Sequence, residues 1–149
     1  MSRQTRLAGL RNSQQAQKGP PAMNTTDSVL KDWMHAINNA DLEALLALYN
    51  EKSVVIPTFS NRLLGTPDGI RGYFGKLCQR DELSIALHEK TLHTTPITPS
   101  VCALNGIYCW RFAVDGELLS FEARFSYLLD LSLPAPILHH HSSQIPRML

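Results

Sequence analysis

Asp115-Gly116, set between two long runs of strand-forming residues, constrains this chain more than any other feature. A two-residue Asp-Gly connection fits the positive φ angles of a type I′ hairpin, whose twist matches that of the flanking strands. Fixing the turn also fixes the register. Val114 then faces Glu117, Phe112 faces Leu119, Trp110 faces Phe121 and Tyr108 faces Ala123, which makes one side of the ribbon strongly aromatic. On the other side Ile107, Cys109, Arg111 and Ala113 oppose Arg124, Glu122, Ser120 and Leu118, so Arg111, Glu122 and Arg124 gather there.

The rest of the chain has to serve that ribbon. Strand patterns cover 84–93, 101–114, 117–129 and 137–143, with Pro96, Pro99, Pro134 and Pro136 in the gaps. Helical patterns precede them. Thr25 or Thr26 caps a helix with Val29, Leu30, Trp33, Met34 and Ile37 along one stripe, ending near Asn38-Asn39. Asp41 caps a second, in which Leu42, Leu45, Leu46, Leu48 and Tyr49 share a broad face before Asn50 closes it. Ser53–Pro57 reads as a short strand, and Thr66-Pro67 starts a third helix with Ile70, Tyr73, Phe74 and Leu77 buried. Helices first and a long meander afterwards predict an α+β domain over residues 24–146. Its antiparallel sheet is expected to be strongly curved and cone-shaped, wrapped around three N-terminal helices.

At 149 residues and 44% hydrophobic, the chain suits one domain with a real core. No apolar run is long enough to cross a bilayer as a helix, so no membrane partner is expected. Residues 1–23 read as a disordered basic arm and 147–149 as a tail. Arg3, Arg6, Arg11 and Lys18 precede Met23 with no acid among them; a transit peptide, or a true start at Met23, fits the same composition. The remaining residues are slightly acidic, which argues against nucleic acid. Cys78, Cys102 and Cys109 are odd in number, lack metal-type spacing and sit among apolar residues. They read as reduced core thiols, hence a cytoplasmic setting.

Near the end, His139-His140-His141-Ser142-Ser143 follows an apolar run. In a strand, His139, His141 and Ser143 share one face, and His140 and Ser142 the other. His139 and His141 could be joined by His88 or His93 around a metal, but no acid or thiolate spacing completes a site, so no metal is assigned. Arg124, with Arg111 beside it, suits a carboxylate or phosphate, and Glu122 is the competing ion-pair partner. Tyr49, Tyr108, Tyr127 and Glu122 are candidate acid/base groups that no spacing selects, so no catalytic residue is named. The chain has no glycine-rich phosphate loop and none of the kinase signatures, which excludes phosphoryl transfer and gives no sign of a nucleotide cofactor.

Ala123–Leu129 and His139–Pro146, together with Trp33, Asp41-Leu42 and Leu48-Tyr49, carry a family resemblance. Over residues 24–146 the chain resembles the SnoaL-like, or nuclear transport factor 2-like, superfamily. Within it the chain is most similar to the calcium/calmodulin-dependent kinase II association-domain and SgcJ/EcaC-type branch. It departs at Leu131–Pro136, where members carry a Gly-x-Trp turn, and this leaves the register of the last hairpin open. The resemblance implies a cone with a pocket at its mouth and an outer sheet surface that builds homodimers or larger rings. It sets Arg124 and the His139–Ser143 strand at polar pocket or interface positions. The reading that follows is a stand-alone oligomerising module that holds a small organic or anionic ligand without a cofactor. Its ligand residues are Arg124, His139, His141, Tyr49, Tyr108 and Arg111. The alternative is an isomerase, cyclase or oxidoreductase acting on a polyketide- or steroid-like substrate.

Overall fold

The computed structural model describes residues 23–146, so the arm and the tail lie outside the described residues. Helix α1 (Thr26–Asn38) opens with a capping box, in which Ser28 N–H donates to Thr25 Oγ1 and Thr25 N–H to Ser28 Oγ. Its stripe Val29, Leu30, Trp33, Ala36 and Ile37 is buried. Asp41 caps the short α2 (Leu42–Leu46), and Thr66 caps α3 (Pro67–Leu77) with proline in the first turn. The second helix is shorter than its sequence predicts, because Tyr49 opens strand β1 (Tyr49–Ile56) and enters the sheet.

Strands β2 (Ser84–Leu87), β3 (His93–Pro96), β4 (Val101–Val114), β5 (Glu117–Asp130) and β6 (Ile137–Gln144) complete the α+β domain. The single strand expected over 84–93 is broken by a 3-10 turn at Glu89–Thr91, so β2 and β3 pair separately with β4. Sheet order is β1-β6-β5-β4-β2, with β3 beside β4. The sheet is mixed rather than wholly antiparallel, since β1 runs parallel to β6. The hairpin register is the one set by the Asp-Gly turn, pair for pair from Val114–Glu117 back to Ile107–Arg124. Asp115 (φ 51) and Gly116 (φ 79) both take the left-handed conformation that this turn requires.

The aromatic face of that hairpin turns inward onto the helices. Trp33 is fully buried at the centre, stacked on Tyr108 and edge-on to Trp110, Tyr127 and His140. Gly106 lets the Phe125 ring lie on the β4 backbone, since a Cβ there would stand 2.8 Å from Phe125 Cζ. Phe125 in turn stacks on Tyr108 at 4.5 Å. Cys78, Cys102 and Cys109 are free thiols. No helix among the described residues is long and apolar enough to cross a membrane.

Each flank of the sheet is met at one residue. On β2, Asn38 accepts from Ile85 N–H and donates to Ile85 C=O, which satisfies both backbone groups of a residue on the edge strand. On β1, Val55 exchanges two backbone hydrogen bonds with Leu64 of the following loop. Polar backbone groups on an open edge invite another strand, and these contacts interrupt the edge at one position on each side.

Candidate functional site

A polar cluster lies inside the cone, built on β6. Strict alternation from the buried Ile137 would aim His139 and His141 inward. Instead the pairing with β5 slips by one residue between Leu128 and Leu129, where Leu129 faces Ile137 and Leu128 faces His139. A one-residue bulge reverses which side chains face the core. His140 and Ser142 are therefore buried, whereas His141 is exposed and His139 half-buried on the outer face.

His140 is held on both ring nitrogens, with Tyr49 Oη 2.8 Å from Nδ1 and Tyr108 Oη 3.2 Å from Nε2. Trp33 Nε1 donates to Tyr49 Oη at 2.9 Å, and Tyr127 stacks on the imidazole at 4.0 Å. Donor counting selects one direction for the chain. Tyr49 Oη accepts from the indole and, among the described residues, has no acceptor for its own proton except Nδ1, so the proton goes there; Nε2–H then donates to Tyr108, whose hydroxyl lies beside Ser142 and Thr58. Thr58 and Ser142 share a further hydroxyl–hydroxyl bond. Burial, reinforced by the neighbouring His139 and His141, pushes His140 down to about 3, so the imidazole is neutral. Burial likewise raises the phenols of Tyr49, Tyr108 and Tyr127.

Two of the six residues expected to bind ligand, Tyr49 and Tyr108, meet in this cluster. The other four, Arg111, Arg124, His139 and His141, stand on the opposite face of the sheet. Glu122 pairs there with His88 at 2.7 Å rather than with Arg111. No three His, Cys, Asp or Glu side chains converge among the described residues. His140, Trp33, Tyr127, Ser142 and Thr58 are the members of the cluster that the expected ligand site left out, Tyr127 having been named only as a candidate acid/base group. The signal for His140 was its place opposite Tyr127, legible only once the bulge is known.

Space decides what the cluster can do. The cavity bordered by Tyr108, Trp110, His140, Ser142 and Thr58 measures about 10 Å³, room for one water at most. A neutral imidazole between two un-ionised phenols, sealed from solvent, has the chemistry of a hydrogen-bonded core network. The larger concavities are on the surface: a groove of about 470 Å³ between α3, the β1–α3 loop and β4, and one of about 680 Å³ between α1 and β2.

Three helices seated in the hollow of a bent mixed sheet, with an aromatic and histidine core, define a cone of the nuclear transport factor 2-like, cystatin-like class. Solved structures share it at low identity. A Xanthomonas campestris protein assigned as a calcium/calmodulin-dependent protein kinase II association domain superposes with a TM-score of 0.73 at 18% identity, over 82% of this chain and 86% of that one. A Streptomyces avermitilis protein assigned as a dehydratase of the NTF2-like family gives 0.70 at 10%, over 81% and 94%. A cystatin-like protein of Caulobacter vibrioides gives 0.67 at 12%, over 80% and 87%. None of the curated proteins matches the sequence. The SnoaL-like domain family matches residues 27–148, and the chain belongs to it.

Proposed function

We propose that this chain is an association module, a SnoaL-like cone whose outer sheet face joins copies of itself and whose interior performs no chemistry. The observation that carries the reading is the makeup of that outer face. Val54, Ile56, Ile107 and Leu128 stand half-buried on it without a covering layer, and Leu118 is 52% exposed at its hairpin end. Arg111, Arg124, Glu122 and His141 are interspersed among them. An uncovered face of apolar side chains mixed with arginine, glutamate and histidine is a surface suited to meeting another protein. The arginines and outer histidines assigned to ligand binding by the sequence then become interface groups.

The full interior supports the same reading against the enzymatic one. A polyketide- or steroid-like substrate needs a pocket of about 300 Å³ or more, far above the cavity left beside His140, the acid/base-type group of the interior. Light scattering at micromolar concentration tests the proposal. A dimer or larger closed assembly is expected, converted to monomer by Ile107→Lys with Leu128→Lys, and a strict monomer in the unaltered protein would overturn it.

A further inference from the structure

The groove of about 470 Å³ goes beyond this assembly role. One wall is a single stripe of α3 and its extension, Gly69, Gly72, Tyr73, Lys76, Leu77 and Arg80. Positions three and four apart lie on one helix face, so the stripe follows from helical geometry. Phe59 and Leu64 from the β1–α3 loop and Phe112 from β4 supply the remaining apolar lining. Phe59 is held rigidly, edge-on to Trp110, Phe112 and Phe121, and its N–H donates to Tyr73 Oη. The ring of Tyr73 borders both this groove and the small interior cavity and stands between them.

Charge gives the groove a sign. Every charged residue lining it is a cation: Arg62, Lys76 and Arg80. The two ion pairs among the described residues, Arg71–Glu43 and His88–Glu122, involve none of the three. Arg80 lies over the Phe112 ring at 5.4 Å, which sets its guanidinium above the apolar lining. Glycine keeps the wall low, since a Cβ at Gly72 would meet nothing within 4 Å.

We propose that this groove binds a small amphipathic organic anion, an aromatic or alicyclic body carrying one carboxylate or sulfonate. The ring system lies on Phe59, Tyr73, Leu77 and Phe112, and the acid group is held by Arg62, Lys76 and Arg80. A planar guanidinium pairs with both oxygens of a carboxylate, and an apolar lining with a few convergent polar groups is the usual makeup of a ligand site.

Fluorescence titration of the full chain with anilinonaphthalene sulfonate, beside the uncharged phenylnaphthylamine, tests this. The sulfonate is expected to bind one per chain, and Arg62→Gln with Lys76→Gln to weaken it by about tenfold while leaving the neutral probe unchanged. Gly72→Leu fills the groove from a helical position where leucine is a better helix former than glycine, and it should abolish sulfonate binding without loss of thermal stability. Sulfonate binding that survives Gly72→Leu, equal binding of both probes with no effect of the charge variants, or no saturable sulfonate binding would each overturn the proposal. Light scattering on the same samples reports assembly separately, so failure here leaves the outer-face reading standing.

Discussion

Lowering the pH should destabilise this protein through one residue, His140. In the unfolded chain its imidazole takes a proton near 6.5, whereas in the folded core burial holds it down to about 3. Between those values the unfolded state carries one more proton than the native state, so stability falls as acid is added and is regained as pH rises. The contribution at about pH 7.5 is negligible, and at about pH 5 the linkage amounts to a loss of about 2 kcal/mol. With a urea dependence of about 2 kcal/mol per molar, that moves the unfolding midpoint down by about 1 M. Trp33 and Trp110 are buried and supply the fluorescence signal. The comparison is with His140→Gln, which removes the titrating group and keeps a donor and an acceptor. That variant will be less stable at neutral pH, because Tyr49 and Tyr108 lose their fitted partner, but its midpoint should lack this share of the acid sensitivity. An equal midpoint loss in both proteins would refute the reasoning, since the acid-sensitive group would then lie elsewhere.

Gly106→Ala forces its Cβ against the Phe125 ring and should cost about 1–3 kcal/mol by overpacking, read as a lowered thermal midpoint. Thr66→Ala removes the acceptor for Gly69 N–H at the start of α3 and should cost about 1 kcal/mol in urea unfolding. Asn38→Ala frees both backbone groups of Ile85 and should lower stability by about 1–3 kcal/mol, with a rise in concentration-dependent aggregation. Gly116→Val places a β-branched residue at φ 79 and should weaken the hairpin, seen as faster hydrogen exchange along β4 and β5.

What the sequence made legible was whatever local chemistry determines. The caps at Thr25, Asp41 and Thr66 and the type I′ turn are decided by a few adjacent residues, and they carried the helix starts and the register of the longest strand pair. Tyr49 was misread because apolar spacing alone does not separate the end of a short helix from the start of a strand, and here pairing with β6 decided the matter. The break at Glu89–Thr91 likewise depends on β4, whose Ile107 carbonyl accepts from His88 N–H and whose Ile107 N–H donates to Thr91 Oγ1. The inner cluster was half visible. Tyr49 and Tyr108 were named, but the histidine between them depends on a single bulged residue that no pattern in Leu131–Ser143 announces.

Asn38 and Leu64 bear on how large any assembly of this protein grows. With β2 met by a side-chain amide, β1 by its own loop, and β3 only four residues long and ended by Pro96, lateral growth strand upon strand is opposed at each edge. In the assembly proposed above, copies meet broadside through a patch that each presents once. A patch that faces its own copy closes as a two-fold pair, so that arrangement leaves no free end from which a fibre could extend.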